Sequence, residues 1–119
     1  MAKIGFTKLG LKLNNEIQYI EFNEQTIEVK QYLPVEEKLK LITNVLELSH
    51  DSNNFSNPVK VSVYTTLEII EKYTNVSFTE KQKENPTKLY DLLVGNGFAA
   101  AVIKAIPESE YNEILTTID

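Results

Sequence analysis

A chain of 119 residues with 42% apolar content is long enough for one domain around one core, and it has no cysteine, which excludes a disulfide framework, a thiolate metal site and thiol catalysis. The formal net charge is -5, from 17 acidic residues against 12 basic ones, and every basic residue is a lysine. An acidic field repels phosphate and the guanidinium fork is missing, so nucleic acid is not an expected partner.

The N-terminus, Met1-Ala2-Lys3-Ile4-Gly5, lacks the apolar centre of a signal peptide, and no apolar run approaches the ~20 residues that cross a bilayer. No membrane partner is expected, and the expected location is the cytosol, or an assembly built from it. In chain order, the first 33 residues are β-rich. Leu9, Leu11 and Leu13 alternate with Lys8, Gly10 and Lys12, which predicts a strand over residues 4–13. Next, "EIQYIEF" and "TIEVKQY" flank "NEQ" and predict a hairpin that pairs residues 17–22 with residues 26–32. Ile27 and Val29 belong on its core face, and Glu28 and Lys30 face water. Tyr19 and Ile20 are adjacent and apolar, so cover on both faces of the first strand is expected. Glu28 and Lys30 would blunt one sheet edge, leaving the strand at Leu9–Leu13 as the adhesive side.

At Pro34 the apolar period becomes helical. Val35, Leu39, Ile42, Val45, Leu46 and Leu48 form one stripe, with Glu36 and Glu37 in the first turn where the dipole favours anions. "SHDSNNFSN" reads as a loop pinned by Phe55. Asn57-Pro58 restarts a helix to about Lys72, although "VKVSVY" alternates and keeps a strand at residues 59–64 open. Thr79 with Gln82 makes a capping box, Pro86 stops that short helix, and Asn85-Pro86 caps the next one. "GNG" ends it through a left-handed glycine, "FAAAVIKAI" is a compact helix, and Pro107 opens the last. The expected architecture is therefore α+β in a single domain: a small N-terminal antiparallel sheet, hairpin plus one strand, in a β-rich segment 1–33, then four to five packed helices over 34–119.

No constellation for catalysis, cofactor or metal emerges. His50 is the single histidine, and Ser49, His50 and Asp51 are sequence neighbours that point in different directions, unlike a triad assembled from distant segments. The carboxylates Glu36, Glu37, Asp51, Glu108 and Glu110 lack calcium-loop spacing and read as solvated helix starts. "GNG" follows a helix and lacks the lysine of a phosphate loop. Tyr64, Tyr73 and Tyr90 read as core-margin residues with hydroxyls in water. The candidate interface residues are Leu9, Leu11, Leu13, Tyr73, Phe78 and Tyr90, because aromatics and an unpaired sheet edge are what proteins use to meet. Self-association through them is one expected consequence.

The runs "IEVKQYLPVEEKLKLI", "YTNVSFTEKQKENPTKLYDLL" and "AIPESEY", spanning residues 27–111, resemble small proteins encoded among the structural genes of tailed bacteriophages of Gram-positive hosts. The chain looks most like a tail assembly chaperone of that group. The resemblance implies a non-enzymatic morphogenesis role, with the tape-measure protein, tail-tube subunits or neighbouring virion subunits as partners. It places the protein in the host cytoplasm or in the virion. Small neck, tail or capsid-associated virion components, and phage inhibitors of host or defence proteins, are the alternative readings. Proteins of this group continue past the "IPESEY" helix, whereas this chain stops at Asp119, so a truncated product is a further expectation.

Overall fold

Asn23 and Glu24 take positive φ, 48° and 67°, the pair of left-handed residues that a two-residue hairpin turn needs. They close β1 (Ile17–Phe22) directly onto β2 (Gln25–Lys30), so the turn has two residues rather than the three polar ones expected, and β2 ends before Gln31. The computed structural model describes residues 2–50 and 57–118. The register sets Ile20 opposite Ile27 and Gln18 opposite Val29. Ile27 and Val29 are buried and Lys30 is exposed, as the alternation requires, while Glu28 is half-buried. A slip by one residue would turn both apolar side chains to water. Tyr19, opposite Glu28, remains exposed, so the outer face of β1 is not covered as expected.

The strand expected over residues 4–13 does not form. Phe6–Leu9 is a single 3-10 turn, closed by Gly10 at φ 63°. A left-handed residue breaks the pleat that alternating leucines would need, and among the described residues no other strand lies beside them. The described sheet therefore has two strands.

Among the described residues six helices follow: α1 (Val35–Ser49), α2 (Pro58–Tyr73), α3 (Glu80–Lys83), α4 (Pro86–Gly95), α5 (Phe98–Ala105) and α6 (Glu108–Ile118). Only α3 is a single turn, which leaves five of ordinary length. The ambiguous residues 59–64 are helical. The Asn57 side chain accepts from the Val59 and Lys60 N–H groups, and Pro58 follows it at the first helical position. The reciprocal Thr79–Gln82 capping box starts α3, and Asn85 caps α4 by accepting from Lys88 N–H. Gly97, at φ 80°, is the left-handed residue between α4 and α5; Gly95 stays helical. The expected loop contact of Phe55 and the position of Asp51 lie outside the described residues.

One core joins the inner face of the hairpin to α1, α2, α5 and α6, with Val29, Leu33, Leu41, Val45, Ile70, Val102 and Ile114 fully shielded. Phe22 meets Phe98 edge to face, with ring centroids 5.0 Å apart. A smaller cluster of Val63, Leu67 and Leu89 ties α4 to α2.

Within the main core sits a charge. Glu110, on the first turn of α6, is only 6% exposed. Its Oε1 accepts from the Leu33 N–H at 2.9 Å and from the Tyr73 hydroxyl at 3.0 Å, and its Oε2 accepts from Lys38 Nζ at 2.9 Å. Lys38 also reaches Glu113 at 3.3 Å and stands 4.6 Å from the centre of the Tyr32 ring. Beside them, Gln31 Nε2 donates to the carbonyls of Val29 and Ala105. Two expectations fail here. Glu110 is not a solvated helix start, and Tyr73 is fully buried with its hydroxyl on a carboxylate rather than in water.

Removing one partner of a buried pair strands the other. Glu110→Ala is expected to cost about 3–5 kcal/mol, because it strands the Lys38 ammonium together with the Leu33 N–H and the Tyr73 hydroxyl. Lys38→Met with Glu110→Leu removes the stranded charge but not those two donors, so it is expected to recover only part of that loss, with both variants read by urea denaturation. The alkaline limit of stability comes from the same residues. Burial, then the hydrogen bond to Glu110, raises the Tyr73 phenol above its ordinary 10.0. Burial alone would lower Lys38, but the hydrogen bonds and charges of Glu110 and Glu113 outweigh it and hold the ammonium above its ordinary 10.5. Both groups bind their protons more tightly folded than unfolded. Their contribution is thus complete below those ordinary values and is lost as pH climbs beyond about 10. The urea midpoint should fall from that pH upward, and Tyr73→Phe should flatten part of the fall.

Candidate interaction surfaces

Residues 2–16 form an arm in which no apolar side chain is buried. Ile4, Phe6, Leu9, Leu11 and Leu13 are all exposed, Leu11 by 69% and Leu13 by 87%. The arm's hydrogen bonds within residues 2–15 are local: Lys8 N–H to the Gly5 carbonyl and Gly10 N–H to the Thr7 carbonyl. It is tied down only at its root, where Asn14 Oδ1 accepts from Glu16 N–H and the Glu16 carbonyl accepts from Gln31 N–H. Five large apolar side chains in a 15-residue stretch, all in water, are unlike the scattered exposed residues that any surface carries.

The sheet has one covered side. The strand β2 meets Thr74 through an isolated bridge at Val29, and Glu28 N–H donates to Asn75 Oδ1 at 3.0 Å. Asn75 Nδ2 in turn donates to Glu28 Oε2. The linker after α2 therefore protects this edge, rather than charge on Glu28 and Lys30 alone. On the other side, β1 has no strand neighbour among the described residues, and Ile17 and Tyr19 are exposed on it.

A groove of about 380 Å³ runs between the second half of α1, the middle of α2 and the turn before α3. Its apolar lining is Leu48, Tyr64, Leu67 and Phe78, and its charged lining is Glu68, Glu71 and Lys83. Lys83 reaches Glu71 at 3.3 Å from the far side. Burial, offset by a hydrogen bond from Asn44 and reinforced by the Glu71 charge, holds the Glu68 carboxyl above the ordinary carboxylate range. At the opposite end of the same helix pair, Lys72 and Lys40 both bond Glu37 and pull its carboxyl below that range.

The structure scatters the sequence-chosen interface residues. Leu9, Leu11 and Leu13 lie together on the arm, not on a strand. Phe78 lines the groove half-buried, and Tyr90 packs at the margin of the α2–α4 cluster. Tyr73 drops out of any surface, being fully enclosed. Glu68, Glu71 and Leu48 were missed; the only signal for them was three- and four-residue spacing on two helices whose relative packing sequence does not state. His50 is exposed just beyond α1. Among the described residues no group of three or more His, Cys, Asp or Glu could hold a metal ion, and no helix is long and apolar enough to cross a membrane. No protein-family model, curated protein or solved structure matches the chain.

An arm with no buried side chain is expected to be open to proteases, and the fold is expected not to depend on it. Brief trypsin treatment of dilute protein should cut first after Lys3, Lys8 and Lys12. The remaining body should keep its helical circular dichroism and its urea midpoint within about 0.5 kcal/mol.

Proposed function

We propose that the protein acts by contact rather than catalysis, as a morphogenesis protein of a tailed bacteriophage that holds a tail component before it polymerises. The observation that carries this reading is the exposed apolar arm on a body that packs without it. Such an arm costs solubility on its own and gains free energy only when a partner covers it. Its occupant in this reading is the tape-measure protein or the tail-tube subunit, consistent with the phage-like stretches between residues 27 and 111. A neck, tail or capsid-associated subunit would make the same contact permanently inside the virion.

Co-expression with tape-measure and tail-tube proteins of a Gram-positive phage tests this. The wild-type chain should co-purify with one of them. Leu11→Lys should weaken that capture by roughly tenfold or more, from lost burial of one leucine, without changing the helical signal. Capture of a host protein with no phage structural protein would overturn the morphogenesis reading in favour of an inhibitor. An unchanged affinity in Leu11→Lys would show that the arm is not the contact element.

A further inference from the structure

The charges of this chain are not evenly mixed. Lys3, Lys8 and Lys12 are the only charged residues up to Asn15, so the arm carries three positive charges. The remaining chain holds nine lysines against all 17 acidic residues, a formal charge of -8. Both the arm and the groove are apolar surfaces with charge at their edges: the arm carries lysines alone, and the groove carries Glu68 and Glu71 against one lysine, Lys83, which pairs with Glu71. The groove offers Leu48, Tyr64, Leu67 and Phe78 below Glu68 and Glu71; the arm offers Leu9, Leu11 and Leu13 between Lys8 and Lys12. Lysine stems are long enough to lie along an apolar floor while their ammonium groups reach rim carboxylates.

Resting on the contact reading above, we propose that the arm of one copy docks into the acidic groove between α1 and α2 of a second copy. A single copy leaves both halves open: every described arm residue is exposed, and Leu48 at the groove is half exposed, at 50%. The arm springs from Glu16, bonded to Gln31, near the first turn of α1. The groove lies at Asn44 to Leu48, about ten residues further along α1, or roughly 15 Å along the helix from its first turn. The contact is heterologous, one surface on each copy, so it closes into a ring or a reciprocal dimer, or grows into an open chain. A body with net charge -8 repels its like at distance, and a basic arm is the part that offsets this at contact. Docked lysines would also relieve the crowding of Glu68 against Glu71.

Two faulty copies make the test. One lacks residues 2–15; the other carries Leu48→Lys, an exposed position where added charge repels the arm without touching the core. Sedimentation equilibrium of the wild type should show concentration-dependent association. Each fault alone should raise the dissociation constant by about tenfold or more. Mixed, the two should recover a one-to-one heterodimer and nothing larger, because only one intact arm and one intact groove remain. A wild type that stays monomeric, a Leu48→Lys variant that associates normally, or a mixture without heterodimer overturns the proposal. If the monomeric wild type still captures a tail protein through its arm, the morphogenesis reading stands and only this one falls. If the arm instead carries the protein onto phosphatidylglycerol vesicles, both fall.

Discussion

Everything in this fold converges on one carboxylate. Glu110 is the single acceptor shared by the strand-to-helix linker at Leu33, the first turn of α1 at Lys38 and the end of α2 at Tyr73. A buried carboxylate is tolerable only with partners for its charge and its lone pairs, and these three donors provide them. Because they come from segments 37 to 77 residues away along the chain, the carboxylate fixes their relative placement as well as its own energy. Apolar packing of Leu41, Val45, Ile70 and Ile114 would be satisfied by several small rotations; the directional hydrogen bonds narrow these to one.

Three stretches, residues 27–42, 73–93 and 105–111, meet at this point. The first contributes Gln31, Leu33 and Lys38, the second opens with Tyr73, Thr74 and Asn75, and the third ends with Glu110 and Tyr111. Thr74 and Asn75 close the outer edge of β2, and Gln31 ties that strand to the end of α5. These contacts belong to the architecture of the body, whereas the arm takes no part in them.

Much of this was legible in the sequence, for stated reasons. The hairpin and the alternation of Ile27 and Val29 follow from a period of two, and the helix boundaries at Asn57-Pro58, Thr79 and Asn85-Pro86 are written in local capping chemistry, while Pro34 marks the start of α1 without a side-chain cap. The arm was misread as a strand because alternating leucines satisfy the strand pattern locally, whereas a strand also needs a neighbour and Gly10 turns left-handed. Glu110 and Tyr73 were misread because nothing in "PESEY" or "EKYTN" distinguishes a solvated polar residue from one that meets a partner more than thirty residues away. The groove escaped for the same reason: Leu48, Glu68 and Phe78 become neighbours only when α1 and α2 pack.

The division between a self-sufficient body and an arm waiting for a partner is the claim on which the rest turns, and amide hydrogen exchange measures it residue by residue. In dilute protein the amides of Leu33, Val45 and Ile70 should exchange only through global unfolding, at rates unchanged when residues 2–15 are removed, while the amides of Leu9, Leu11 and Leu13 should exchange at nearly the rate of an unstructured peptide. Slow exchange of those arm amides in the dilute monomer, or loss of protection in the body once the arm is gone, would contradict it.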